Sequence, residues 1–331
     1  MRRKLFLSFA SVFLLTMLTT VSAFADHSSA SVLGGSANFR DASAQSDSFV
    51  VNITGATVLS AGSTYQGWLV DEAGTKLSVG VYGPGPDLKG TYVSPSNADL
   101  LADYKTFLIT IEPKPDDSSA DSGNVAYGDF VPSATSDAIG TLLGEAGQLR
   151  TQANSILSSA NTAEASSDLA SQTSGAQAVI DALGALKATA ENISVQAGDI
   201  KANAAGDTLI STAADAVVSS ASNVIAIADK LNATSSRAAA ATATGLALEL
   251  ELDNVKAAAG QLVNGDDSGN GSAGLYTNVQ DIGKMNLVVG TPPATGDSML
   301  MNVIWVALAI GMLMMLSGAI LYNRRPLRAV A

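Results

Sequence analysis

YQGWLVDEAGTKLSVGVY, residues 65–82, sets two runs of β-branched and aromatic residues on either side of one turn signal. The turn is Asp71–Gly74, where Gly74 tolerates positive φ, so the stretch predicts a tight hairpin. Similar runs flank it: Ser48–Thr54 (SFVVNIT), Lys89–Ser94 (KGTYVS) and Lys105–Glu112 (KTFLITIE). Period-two alternation in the last puts Phe107, Ile109 and Ile111 on one face and Leu108, Thr110 and Glu112 on the other. Trp68 and Val70 share a face by the same rule. Short strands at regular spacing predict an antiparallel β-sandwich-like domain, or a small barrel, over residues 26–132.

Composition shifts after the loop-like Pro113–Gly123. Residues 133–262 are rich in Ala and Ser, and Ile139, Leu142, Leu143, Ala146, Leu149, Ala153 and Ile156 fall at helical offsets. Ala176–Ile193 and Thr208–Leu231 repeat the style. Small residues at buried positions allow close helix approach, which predicts an Ala-rich antiparallel helical bundle. Leu246–Asp253 (LALELELD) alternates like a strand, but its Ala-rich flanks favour helix. The expected fold class is therefore α+β multi-domain. Residues 263–298, rich in Gly, Ser, Asn and Pro, read as a flexible linker or stalk.

The two ends predict export and tethering. Arg2, Arg3 and Lys4 precede an apolar run and the small residues Ala23 and Ala25, the pattern of a signal peptide over residues 1–25, with an uncleaved anchor as the alternative. Met299–Tyr322 is 24 uncharged residues, long enough for one transmembrane helix. Arg324, Arg325 and Arg328 follow, so residues 323–331 are expected to be a cytoplasmic tail and 26–298 to lie outside. Between residues 26 and 298 this leaves 12 Lys and Arg against all 30 Asp and Glu, a net charge of −18. Such a field repels phosphate and argues against nucleic acid as a partner.

Chemistry for catalysis is sparse. There is no cysteine, and the single histidine, His27, stands beside the cleavage site. Asp71–Glu72, Asp116–Asp117 and Asp266–Asp267 sit in turn-like segments and read as solvated charge. Asp266, Ser268, Asn270 and Ser272, with Gly271, partly resemble a calcium loop, but Thr277 stands where a bidentate Glu belongs; a linker is the competing reading. No catalytic residue, cofactor site or metal site is expected, and the chain reads as no enzyme.

Two family resemblances accompany this reading. Tyr65–Tyr82 followed by Phe107–Asp116 resembles the extracytoplasmic C-terminal domain of anti-sigma-K factors, through Tyr65, Trp68, Leu69, Gly80, Thr110, Glu112 and Pro113. The resemblance implies a β-sandwich-like sensory or interaction domain outside the membrane. At the other end Pro293, Ala294, Thr295 and Gly296, the apolar span and the basic tail resemble a sortase cell-wall sorting signal, with Pro292 where that family has Leu. This implies sortase as a partner and cleavage between Thr295 and Gly296, and a plain proline-stiffened stalk is the alternative. The function expected is that of a non-enzymatic, exported, membrane-tethered surface protein for adhesion, sensing or envelope structure, facing a surface protein, envelope protein or glycan. An anti-sigma-factor-like transmembrane regulator is the second reading.

Overall fold

Phe49 and Phe107 meet with ring centroids 4.8 Å apart, and Phe39 packs edge-on against Phe49 at 4.9 Å. These rings join two antiparallel sheets. The computed structural model describes residues 33–114, 120–204, 207–243 and 245–289. One sheet runs β1 (Gly34–Arg40), β2 (Ser48–Thr54), β5 (Leu88–Val93). The other runs in the order β4 (Lys76–Gly83), β3 (Ser63–Asp71), β6 (Tyr104–Pro113), β7 (Val125–Phe130), β8 (Val288–Val289). Burying each phenylalanine contributes about 1.5–3 kcal/mol, and the tilted ring contacts add about 0.5–1.5 kcal/mol.

All five expected strands are present, and the β3–β4 hairpin turns at Asp71–Gly74 with Gly74 at φ 85. The chain adds β1, β7 and β8, whose sequences GGSANFR, VAYGDF and VV carry weaker strand signals. Pairing rather than propensity makes them strands. The β1–β2 connection is held by Asp47, whose carboxylate accepts the N–H groups of Ala42 (2.5 Å), Ser43 (2.9 Å) and Ala44 (2.9 Å). Burial alone would raise its pKa, but these three donors hold it below the ordinary carboxylate value.

After the short helix α1 (Leu100–Asp103) and β6–β7 come α2 (Ser133–Ala165), α3 (Leu169–Asn203), α4 (Thr208–Ala239), α5 (Leu246–Asn264) and α6 (Ser272–Ile282). Their buried residues recur at alternating steps of three and four. In α2 these are Ile139, Leu142, Ala146, Leu149, Ala153, Ile156 and Ala160, and in α4 Ala214, Val217, Ala221, Val224, Ala228 and Leu231. This three-and-four spacing, with alanine at about every second buried position, gives each helix one buried stripe along its length. Asp168 and Asp207 cap α3 and α4 by accepting backbone N–H groups of Ser171 and of Leu209 and Ile210. In α5 the alternating leucines resolve as helix: Leu248 and Leu252 are buried, while Leu246 and Leu250 stay 83% and 59% exposed.

By length and composition α4 is the one helix among the described residues able to cross a membrane. It packs against other helices and is joined to α3 and α5 by Lys201–Asp215 (2.6 Å), Lys187–Asp229 (2.7 Å) and Arg237–Glu251 (3.0 Å). The described residues of 26–292 form one compact unit.

Two expectations need correction. Residues 263–289 are not a flexible linker. They contain α6, which buries Leu275, Tyr276, Val279 and Ile282, and they then add Met285, Leu287 and β8 to the sheets. The apolar residues at 275, 279 and 282 have helical spacing, hidden among Gly, Ser and Asn. Nor does the boundary at 132/133 end the sheet unit, although it does mark the change from strand to helix. The chain leaves the sheets at Ser133 and returns at Met285, so the helices are an insertion. The signal peptide 1–25, the sorting residues Pro293, Ala294, Thr295 and Gly296, the span 299–322, the tail 323–331 and Asp116–Asp117 lie outside the described residues.

Seam geometry makes a stability prediction. Ser235 of α4 is wholly buried, and its hydroxyl finds no partner. Ser235→Ala should therefore stabilise the bundle by about 1 kcal/mol, and Ala190→Leu in the α3 seam should cost about 1–3 kcal/mol by overpacking. Denaturant midpoints of the two variants, moving in opposite directions, check this.

Candidate functional site

Tyr65 and Trp68 are three residues apart on one strand, so they point to opposite faces of the sheet. On the inner face Tyr65, Leu69, Phe107 and Ile109 are buried in the main core. The Tyr65 hydroxyl donates to Thr57 O (2.8 Å), and Thr57 N donates to the Tyr127 hydroxyl (3.1 Å). Thr57 belongs to the β2–β3 connection, which also bonds the β4–β5 connection through Ala56 N to Pro86 O (3.0 Å) and Leu59 N to Pro84 O (2.9 Å). The tyrosine pair thus fixes two loops at one end of the sheets. Burial first, and then the bonded Tyr127 hydroxyl, raise the Tyr65 pKa well above the usual value.

The Tyr82 ring explains two glycines. It lies across β3, so that a Cβ on Gly67 would stand 2.6 Å from the Tyr82 hydroxyl, and across Gly80, which has φ 150. The Tyr82 hydroxyl is buried without a partner, and burial raises its pKa strongly.

On the outer face the other motif residues converge. Trp68 Nε1 donates to Thr110 Oγ1 (2.8 Å), and the Thr110 hydroxyl donates to Glu112. Ser122 N donates to both Glu112 oxygens at 3.1 and 3.0 Å, and Ser122 Oγ donates to Ile111 O (2.8 Å). Trp68, Thr110 and Glu112 are 3%, 0% and 1% exposed, so this is a buried polar chain. Beside it Gln66 Nε2 donates to Ser78 Oγ (2.9 Å). Asp121 pairs with Lys76 at 2.5 Å. Lys76 lies opposite Val70, and Glu112 opposite Thr64. Loop residues 121–122 are thus tied to both β4 and β6, the two strands that flank β3.

The T-x-E spacing makes this possible, because residues i and i+2 share a strand face. What the sequence left hidden is Ser122, drawn from an unremarkable loop, and the Tyr127 partner of Tyr65. Pro113 of the motif is exposed at the end of β6 and joins neither network. Trp68 is buried, but outside the main apolar core. The arrangement binds loops to a sheet. Among the described residues no group of three or more His, Cys, Asp or Glu is placed to hold a metal ion. The calcium-like segment is turned inward on protein donors: Asp266 accepts from Ser268 N (2.9 Å), Lys230 (3.2 Å) and Asn223 (3.4 Å). The Ser268 N–H first, with Lys230 and Asn223, lowers its pKa despite the opposing effect of burial.

Residues 19–125 match the family described as anti-sigma-K factor rskA, C-terminal. The match covers about a third of the chain and all the motif residues on β3, β4 and β6. It ends at the first residue of β7, so helices α2 to α6 and β8 lie beyond the matched residues. No curated protein and no solved structure matches the chain.

Thr110→Val keeps the shape of the side chain but strands the indole N–H and removes a donor from Glu112. It should cost about 1–3 kcal/mol and alter the Trp68 emission in a Trp305→Phe background. Unchanged stability and emission would show that the chain of bonds is not formed.

The tyrosines give a pH dependence. Tyr65, Tyr82 and Tyr276 all have folded pKa values raised above 10.0, burial being the main cause. Above that pH the unfolded chain releases protons that the folded chain keeps, so stability falls as pH rises. Thermal melting should be insensitive to these groups below about pH 9.5 and decline steeply above about pH 10. Tyrosinate absorbance followed through the same titration should rise together with unfolding.

Proposed function

We propose that this chain is an exported, single-pass membrane protein of the anti-sigma-factor-like regulator type, and that its two sheets form a sandwich-like extracytoplasmic sensory module without enzymatic activity. The observation that carries the proposal is the anti-sigma-K match over residues 19–125. It falls on the strands whose motif residues fix the loops at both faces of β3 and β6. The Ala-rich helices, on this reading, are a bundle inserted into that module, and they supply a long rigid arm. The basic tail after the apolar stretch supports an orientation with the module outside.

Deleting the gene in the native host tests the regulator reading. Transcripts of one coherent promoter set, read by a single alternative sigma factor, should change, and re-expression should restore them. In the same cells, protease applied from outside should remove residues 33–289. An unaltered transcript profile combined with lost surface attachment would replace the regulator reading with that of a structural or adhesive surface protein. Protection of residues 33–289 from the protease would reverse the orientation.

A further inference from the structure

The eighteen residues 272–289 fasten three parts of the fold. Toward the bundle, α6 packs against α2 and α4 in line with α5, so a broken helix fills the fourth position of the bundle. Toward the three-stranded sheet, Met285 and Ala37 exchange both backbone hydrogen bonds, at 2.9 and 3.0 Å, on the free edge of β1. Toward the five-stranded sheet, Asn286 N donates to Asp129 (2.7 Å), and β8 pairs with Tyr127 and Gly128 of β7. Side chains add a seam between α6 and the end of β1. Asp281 accepts from Arg40 (2.5 Å) and Asn38 (2.9 Å), Gln280 donates to Asp41 (2.9 Å), and the Tyr276 hydroxyl donates to Asp41 (2.6 Å).

These attachments are short compared with the rest of the sheets. β3 and β6 pair over nine positions, whereas β8 contributes two and Met285 one. The Arg40 and Asp281 side chains are 29% and 35% exposed, so their pair is weakened by solvent. A glycine-rich turn, with Gly265 at φ 94, precedes α6, and the sequence runs from β8 toward the apolar stretch at Met299. Few backbone pairings hold the segment to the sheets, while Leu275, Val279, Ile282, Met285 and Leu287 are buried, so an opening here must move these side chains together, as one sub-global unit.

We propose that residues 272–289 are a releasable clasp: they detach from β1 and β7 as one unit while β2–β6 stay folded. Among the described residues the clasp is the last stretch of the chain before the C-terminal segment. Its release frees the edges of both sheets at once, converting a change at the C-terminus into two unpaired strand edges. This inference does not depend on the regulator reading.

Hydrogen exchange on the purified full-length chain tests it. The chain has no cysteine, and a residue pair exchanging both backbone bonds has Cα atoms about 5.5 Å apart, within disulfide range. Ala37→Cys with Met285→Cys therefore locks the clasp when oxidised. In wild type and in the reduced variant, three segments, the edge amide of Ala37, the edge amides at 127–128 and those of 272–289, should lose protection together, at least about tenfold faster than β3 and β6. Oxidation should slow all three segments and leave β3 and β6 unchanged. Asp281→Ala, in the half-exposed seam, should speed the same three segments without speeding β3 or β6. Exchange of the three segments in wild type at the rate of β3 and β6 would overturn the proposal, as would their exchange in separate, unlinked steps.

Discussion

Pairing of β3 with β6 is the constraint on which the rest of the sheets depends. It runs unbroken from Ser63 opposite Pro113 to Val70 opposite Thr106, and its two faces serve different purposes. Inward, it sets Leu69 beside Phe107 and Tyr65 beside Ile111, which lets the three-stranded sheet dock through Phe49. Outward, it sets Gln66 beside Thr110 and Thr64 beside Glu112, which builds a polar chain where a solvated face would be usual for an antiparallel sheet. A slip of one residue would exchange these faces and expose the phenylalanines. The matched span 19–125 contains both of these strands.

Much of this was legible in the sequence. Strands with dense β-branched and aromatic residues were placed within a residue or two, and the i, i+2 logic of Thr110 and Glu112 correctly put them together. The limits were equally physical. β1 and β7 owe their conformation to neighbours hydrogen-bonded along their edges, and composition cannot report a neighbour. The polar chain needed Ser122, and the tyrosine pair needed Tyr127. Both partners arrive through tertiary placement. α6 was concealed because Gly and Asn around it signal a turn, and a turn is indeed there at 265–271, although it leads into a packed helix.

Between the packed helices, alanine at alternate buried positions leaves room for close approach, while Leu, Val and Ile at the others fill it. The three-and-four spacing was recognisable only as generic helical periodicity, since alanine scores as neither strongly apolar nor polar. The acidic surface is partly offset by lysines reaching carboxylates on adjacent helices, such as Lys187 to Asp229 and Lys256 to Glu164. Such exposed pairs each contribute little, so the seam, not the surface, holds the helices in place.

The return of the chain from α6 to β1 has a consequence for how the protein is made. Arg40 bonds Asp281 across 241 positions of sequence, and Asn38 reaches the same carboxylate across 243. Contacts of such separation are slow to form, because a long loop must close before they contribute anything. β1 is among the first elements to emerge during synthesis, yet its outer edge stays unpaired until nearly the whole chain has followed. Throughout that interval the nascent molecule carries an open strand edge next to its most apolar residues, a state prone to wrong pairing. The helices between α2 and α5 shorten the wait, since they form from local contacts and bring α6 back toward β1. The insertion that separates the two halves of the sheet unit is thus also the means of rejoining them.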